Sequence, residues 1–228
     1  MKEIDYKILE ESLPFWEKLN EQQKELILNN TRSVSYLKGS KIYVHGEDCL
    51  GLIIIKKGRV SAFMLSDEGR ETTLFRLNPG DVCVLSASCV IKQIAFDVHM
   101  DAEKDSELFI LKAGLFAQLM AENIYVENFT YKLMMERFSD VMWTMQQILF
   151  KSFDDRLAQF LYGEMTETRQ DTIFITHEQI AKHLSTAREV VTRMLKRFSD
   201  NGIVELNRGS INIKDKEKLK NLITKSNR

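Results

Sequence analysis

The segment THEQIAKHLSTAREVVTRMLKRF, residues 176–198, decides the interpretation of the chain because it predicts two short helices joined by a tight turn. Thr176 can accept a hydrogen bond from the Gln179 backbone while the Gln179 side chain returns one, which is the capping box that begins a helix. That helix is expected to run to about Leu184, and Ser185 and its successor form the turn. Small or apolar residues stand where the two helices would pack at a steep angle, namely Ala181, Leu184, Val191 and Met194.

The second helix of this pair has a polar side that suits DNA. At 100° per residue its polar side chains cover an arc of about 140°. They are Arg188, Glu189, Thr192, Arg193 and Lys196. Arginine can pair with guanine, glutamate can accept from cytosine N4, and threonine can meet a thymine methyl or a phosphate. The alternative is an ordinary solvated face on which Glu189 merely completes a capping box with Thr186.

A predicted hairpin follows the helix pair. The runs IVEL (203–206) and SINI (210–213) are joined through Asn207, Arg208 and Gly209. A helix-turn-helix with such a hairpin is of the winged type, and its second helix enters a major groove with its N-terminus first. The helix pair, the turn and the hairpin together favour a base-reading face over a solvated one.

The front of the chain has a different pattern. Residues 5–30 predict short amphipathic helices, and from 33 to about 111 short apolar or alternating runs are separated by turn signals such as Asn78-Pro79-Gly80. Many short strands at this spacing are typical of a β-sandwich or barrel.

Residues 114–151 predict a long helix with an apolar seam of period 3.5, after which Ser152 is placed to cap the next helix. One line of the seam is Ile124, Tyr131, Phe138 and Met145, and the other is Met134, Val141 and Ile148. The seam could pack on the chain's own β-domain, but its heptad spacing favours a symmetry mate. These seven residues are the predicted dimer interface.

The composition fits a soluble chain of two modest domains, with 228 residues and 44% hydrophobic content. A charged N-terminus and no apolar run of eighteen residues predict a cytoplasmic protein without a membrane partner. From residue 151 onward there are 15 Lys and Arg against 11 Asp and Glu, which suits a basic binding module behind an acidic one. No CxxC, HExxH, P-loop or GxSxG motif occurs, so no enzyme is expected.

Three stretches of the chain resemble one family of proteins. Residues 176–198, with the following DNGIVELNRGSINI, resemble the winged helix-turn-helix of the Crp/Fnr superfamily of bacterial transcription regulators. GEDCLGLIIIKKGRVSAF and FRLNPGD are similar to the glycine framework of that family's cyclic-nucleotide-binding-like β-roll. FDDRLAQFL is similar to the helix after its dimerisation helix. The implied fold is α+β: a double-stranded β-helix (jelly-roll) sensor with N-terminal helices over 1–113, a dimerisation helix over 114–151 and a winged helix-turn-helix over 152–228.

The resemblance also implies a function. The family's base-reading residues fall on Arg188, Glu189, Thr192 and Arg193, in a homodimer that binds an inverted repeat in double-stranded DNA with half-sites related to TGA. Thr176, Lys196 and Arg208 would contact phosphates, which set register without reading sequence. RNA polymerase is a candidate partner. Ser185 stands where the family often has glycine, so it must adopt an unusual backbone angle.

Cyclic AMP is not the expected effector. Relatives that bind it use a Gly-Glu pair and an Arg-Ser pair, but here Leu85 stands in place of the Glu, and Ala95, Phe96 and Asp97 stand where the Arg should be. A cyclic phosphate without its arginine would pay an uncompensated desolvation cost, and Asp97 would repel it. The expected effector is an unidentified small molecule or a redox state.

Cysteines and histidines supply the remaining sensor candidates. Cys83 and Cys89 are close enough in sequence for a thiol switch, although buried cysteines more often serve as small hydrophobes. Haem is a further alternative, with His45 or His99 as ligand. The rival function is a thiol- or haem-based redox sensor that acts through protein contacts.

Overall fold

The structure, a computed structural model, describes residues 6–44, 49–67, 69, 71–84 and 98–225. The chain divides into two compact units. The first, here called the β-unit, comprises Met1–Leu65 and Leu74–Val141, and the second, the C-terminal unit, comprises Ser66–Thr73 and Met142–Arg228.

Short helices open the β-unit, as the sequence predicted. They are α1 (Tyr6–Ser12), a single 3-10 turn (Trp16–Lys18) and α2 (Glu21–Asn30). Asn20 begins α2 with a capping box, in which its side chain accepts from Gln23 N at 2.8 Å. Each of these three elements buries an apolar residue in the core, namely Leu9, Trp16 and Ile27.

Two four-stranded sheets follow, and they confirm the predicted sandwich. The strands are β1 (Thr31–Tyr36), β2 (Lys41–Tyr43), β3 (Leu52–Lys57), β4 (Val60–Leu65), β5 (Glu71–Leu77), β6 (Val82–Cys83), β7 (His99–Ala102) and β8 (Ser106–Leu111). One sheet has the order β1-β8-β3-β6 and the other β2-β7-β4-β5. The pairings of β1 and β3 with β8, and of β4 with β7, are antiparallel.

Alternation along β3 creates two cores. Ile53 and Ile55 face a cluster shared with the other sheet, whereas Leu52 and Ile54 face a cluster with the N-terminal helices. Gly51, just before β3, has φ +108° and its backbone approaches β8 so closely that a Cβ would lie 1.9 Å from Leu111 O. Only glycine fits this position.

Two helices occupy the region where the sequence predicted one. They are α3 (Ala113–Glu122) and α4 (Ile124–Phe150), separated by Asn123 in an extended conformation. The Asn123 side chain donates to Lys18 O at 3.1 Å and to Gln23 Oε1 at 3.2 Å, and accepts from Tyr125 N at 3.0 Å. Its hydrogen bonds compete with those of a continuous helix and fix the break.

The C-terminal unit has its own core and its own small sheet. Its elements are α5 (Phe153–Thr168), β9 (Thr172–Ile173), α6 (His177–His183), α7 (Arg188–Asp200), β10 (Val204–Asn207), β11 (Ser210–Ile213) and α8 (Lys216–Lys225). Ser152 caps α5 as predicted, since its side chain accepts from Asp155 N. The predicted hairpin is confirmed as the antiparallel pair β10 and β11, with β9 along its other edge. Within the described ranges, no helix combines the length and apolarity needed to cross a membrane.

Candidate nucleic-acid interface

The start of α6 has the predicted capping box. Thr176 Oγ1 accepts from Gln179 N at 3.2 Å, and Gln179 Oε1 accepts from Thr176 N at 2.9 Å. These two bonds satisfy backbone donors that the first turn of any helix leaves without a partner. The first helix of the pair therefore begins where local sequence chemistry places it.

The turn between α6 and α7 has left-handed backbone geometry at Ser185. The φ angle of Ser185 is +52°, which confirms the predicted unusual angle. Thr186 N donates to Ala181 O at 3.0 Å and Ser185 N to Lys182 O at 3.4 Å, so α6 ends in a Schellman motif. The motif directs the chain into α7 at a defined angle without the usual glycine.

Arg156 supports the same turn from α5, a role that sequence analysis missed. Its Nη1 donates to Leu184 O at 2.8 Å, and its guanidinium lies 5.6 Å from the ring of Phe153. Burial lowers the pKa of Arg156. The contact joins residues 28 positions apart, so neither spacing nor motif could reveal it.

Helix α7 begins at Arg188, and its first turn tests the predicted capping box of Glu189. Ala187 occupies the N-cap position with no side-chain capping bond, so the alternative that Glu189 completes a capping box with Thr186 is wrong. The apolar side of α7, by contrast, is fully buried at Val191, Leu195 and Phe198. The helix is fixed by one side, which leaves the other available to a ligand.

The opposite side of α7 is the exposed polar face, defined as Arg188, Glu189, Thr192, Arg193 and Lys196, and all five are exposed. At a rise of 1.5 Å per residue the face is about 12 Å long, which suits insertion into a major groove. The positive end of the helix dipole lies at its N-terminal end, where it favours phosphate oxygens.

A histidine of α6 contacts this face. The Nδ1 atom of His177 lies 2.9 Å from Thr192 Oγ1, and Thr192 Oγ1 donates to Arg188 O at 3.0 Å. Burial, followed by the positive charge of Arg188, lowers the pKa of His177 and so favours its neutral form. Sequence analysis gave His177 no role, because its partner is on another helix.

The wing presents Arg208 at its tip. Arg208 is exposed and is followed by Gly209, whose φ of +79° permits the tight turn between β10 and β11. Glu205 pairs with Lys214 across the hairpin at 2.7 Å, and this hydrogen bond lowers the pKa of the Glu205 carboxyl. Thr176, at the start of α6, is exposed like Arg208. Both residues are therefore accessible, as a phosphate contact requires.

The predicted dimer seam on α4 is divided between solvent and core. Five of its residues are exposed: Ile124, Tyr131, Phe138, Met145 and Ile148. Met134 and Val141 instead pack partly against the cores of the β-unit. A second exposed apolar line runs one position further along, through Met135, Met142 and Leu149. Together with Tyr131, Phe138 and Met145 it gives alternating steps of four and three residues, the spacing of a coiled-coil stripe.

The sensor candidates are only partly described. Cys83 is buried on β6 with its sulfur outside any disulfide, whereas Cys49 is disulfide-bonded. His99 on β7 is half-buried and stacks on Phe63 at 5.5 Å between ring centroids. Several predicted residues lie outside the described residues: His45, Leu85, Cys89, Ala95, Phe96 and Asp97. Among the residues that are described, no group of three His, Cys, Asp or Glu is placed to hold a metal ion.

The fold and the exposed face of α7 define a two-domain transcription regulator with a winged helix-turn-helix. The profile of the Crp-like helix-turn-helix domain matches residues 155–222, and that of the cyclic nucleotide-binding domain matches residues 33–123. The chain belongs to the Crp/Fnr family of transcriptional regulators, because it is 45% identical to a family member from Eubacterium rectale over 94% of this chain and 99% of that one, with a TM-score of 0.91.

More distant relatives share the fold. The cyclic AMP receptor protein of Thermus thermophilus is 22% identical over 202 residues, which are 89% of this chain and 93% of that protein. The c-di-GMP responsive global regulator CLP of Xanthomonas campestris has 16% identity and a TM-score of 0.72, over 86% of this chain and 100% of CLP. The different ligands in these two names show that one fold serves more than one effector.

Proposed function

We propose that this regulator is a homodimer that reads an inverted repeat in duplex DNA through α7, with Arg188, Glu189, Thr192 and Arg193 at the base edges. The observation that supports the proposal best is the division of α7 into a fully buried apolar side and an exposed polar face. A rigid helix with two arginines, a carboxylate and a threonine on one face carries the groups that distinguish bases in a major groove.

Phosphate contacts come from residues around that face. Thr176 at the start of α6, Lys196 further along α7 and Arg208 at the wing tip are all exposed. Contacts of this kind supply affinity for any sequence. They release counterions from the DNA, and because this release is less favourable at high salt, binding should fall steeply as the salt concentration rises.

Glu189→Ala and Arg208→Ala are expected to fail in different ways. Loss of the carboxylate should reduce the preference for the selected sequence by about 1–3 kcal/mol, whereas loss of the wing arginine should weaken selected and scrambled duplexes about equally. Titrations of each variant with both duplexes, at two salt concentrations, measure the difference. Equal loss of preference in both variants would contradict the assignment of base and phosphate roles.

Dimerisation is proposed to use the exposed apolar stripe of α4. The stripe consists of Tyr131, Met135, Phe138, Met142, Met145 and Leu149. A single chain leaves these large side chains in water, and a second copy of the same helix would cover them by knobs-into-holes packing. Asn128 lies seven residues before Met135, so it occupies the same heptad position, and it is polar and exposed. It would set the register of the two helices.

Redox control is proposed to use Cys49 and Cys89, with Cys83 excluded as a participant. Cys49 is disulfide-bonded, Cys83 is not, and the chain has three cysteines. Cys89 is therefore the partner proposed for Cys49.

The proposed switch is a thiol–disulfide exchange. Two thiols lose two protons and two electrons to a low-molecular-weight disulfide, which leaves as two thiols, and one S–S bond forms within the protein. DNA-binding regulators work where thiols are kept reduced, and a disulfide there is usually transient and regulatory. Its formation would join two cysteines in the sensor half of the chain.

Reductant is expected to change the DNA affinity of the wild type by at least about fivefold, the lower range of allosteric coupling. Cys49→Ser should abolish the response and Cys83→Ser should retain it, since only the first removes a bonded sulfur. Titrations with oxidised and reduced protein, alongside a thiol count by mass spectrometry, measure both. A response that persists in Cys49→Ser would overturn the proposal.

Cyclic AMP remains excluded by prediction, on the residue types at Leu85 and Asp97. An acidic residue where the family resemblance implies an arginine cannot compensate a phosphate charge. Calorimetry with cyclic AMP would test this prediction directly.

RNA polymerase likewise remains a predicted partner.

A further inference from the structure

We infer that His177 is a positioning residue for base recognition: it fixes the side chain of Thr192 so that the threonine methyl, and not its hydroxyl, meets a thymine. The inference rests on the proposed function above and adds to it the identity of one base. Two contacts carry it, one within α7 and one between α6 and α7.

The hydroxyl of Thr192 is committed to the protein. A threonine hydroxyl has one proton, and here that proton is donated to Arg188 O at 3.0 Å. The 2.9 Å contact with His177 must therefore be a bond from Nδ1–H to a lone pair of Oγ1. This assigns the neutral His177 tautomer that carries its proton on Nδ1.

The two contacts together select one orientation of Thr192. In a helix, threonine divides between two χ1 rotamers because its hydroxyl can bond to the carbonyl one turn earlier. The helix carbonyl alone leaves that choice open, whereas a donor fixed on a neighbouring helix favours the rotamer whose oxygen faces it. His177 is half-buried, so its own ring is held in place.

What remains for a ligand is the methyl group. Thr192 is exposed in the middle of the polar face of α7, between Arg188 and Lys196. With the oxygen occupied on the protein side, the methyl is the part of the side chain left to contact the thymine C5-methyl, an apolar pairing seen in major-groove recognition. A phosphate contact by the hydroxyl is the competing outcome.

A uracil scan tests the methyl contact. The full-length wild type is used to select a duplex from a random pool, and each thymine of the selected site is then replaced by deoxyuridine, which removes only the C5-methyl. One thymine per half-site is expected to lose about fourfold in affinity, the value of one buried methyl group. Thr192→Ser should abolish this sensitivity and Thr192→Val should retain it.

A double-mutant cycle tests the positioning role. His177→Leu removes the donor and should reduce the thymine-to-uracil ratio to below twofold, while His177→Asn keeps a donor nearby and should restore it. In the Thr192→Val background His177→Leu should leave the ratio unchanged, because valine carries a methyl in either rotamer. A merely structural histidine would instead lower affinity for both duplexes and leave the ratio intact.

The possible failures can be told apart. If no duplex is selected from the pool, the proposed function itself is wrong. If a duplex is selected and binds tightly but no thymine is sensitive to uracil, or if Thr192→Ser retains the sensitivity, only the methyl contact is overturned. If His177→Leu leaves the ratio unchanged in the wild-type background, only the positioning role is overturned.

Discussion

Phe138→Lys is expected to convert the protein into a folded monomer and to weaken its binding to an inverted-repeat duplex by at least about 100-fold, since one half-site supplies roughly half of the binding free energy. Phe138 is 57% exposed at the centre of the α4 stripe, so the substitution removes no contact within the chain's own core. In a dimer it would bring two ammonium groups together at the helix seam, where neither could be solvated or paired.

Sedimentation and DNA titration measure the two effects separately, and circular dichroism checks that the variant is folded. Glu136→Gln is the matched control, because it changes the net charge by the same amount at an exposed position of α4 outside the stripe. The control should remain dimeric with unchanged affinity. A Phe138→Lys variant that sediments as a dimer would mean that the subunits associate elsewhere.

The helix-turn-helix could be predicted from sequence because its determinants are local. The Thr176 capping box, the positive φ at Ser185 and the buried period of α7 each depend on residues within one or two helical turns. Local propensity and apolar pattern agree here, and such agreement is what makes a segment predictable.

The exposed apolar stripe of α4 shows where sequence pattern is insufficient. Met134 and Met135 are chemically identical and adjacent, yet the first packs partly against the core of the β-unit and the second is exposed. A helix that is apolar on both sides offers two overlapping seams, and only tertiary packing decides which residues the chain covers itself. The heptad pattern placed Met134 and Val141 with the exposed residues, whereas both pack partly against the β-unit.

Contacts between distant side chains are the other class that sequence could not supply. Arg156 meets the α6 carboxyl end across 28 residues, and His177 meets Thr192 across 15. Neither pair has a characteristic spacing, since each depends on the angle at which whole helices pack. Asn123 belongs to the same class, because the partners that fix its helix break are about 100 residues away.

The second large effect is expected at Phe198, which anchors α7 to the core of the C-terminal unit. Its side chain is 1% exposed and belongs to the cluster that includes Val191, Leu195 and Ile203. Phe198→Ala should destabilise this unit by about 3–5 kcal/mol through lost burial and the cavity left behind. For a domain of this size that free energy lowers the melting temperature by at least about 12 °C.

Differential scanning calorimetry measures the shift, and Phe174→Ala is the matched control because Phe174 is 77% exposed within the same unit. The control deletes the same atoms but should change the free energy of unfolding by less than about 0.5 kcal/mol, as substitutions at solvated positions do. Below its melting temperature the Phe198→Ala variant should still discriminate selected from scrambled duplex, because the polar face of α7 is untouched. Equal shifts for the two variants would show that α7 is not held by its buried side, and the proposal that α7 is a rigid helix that reads bases would lose its support.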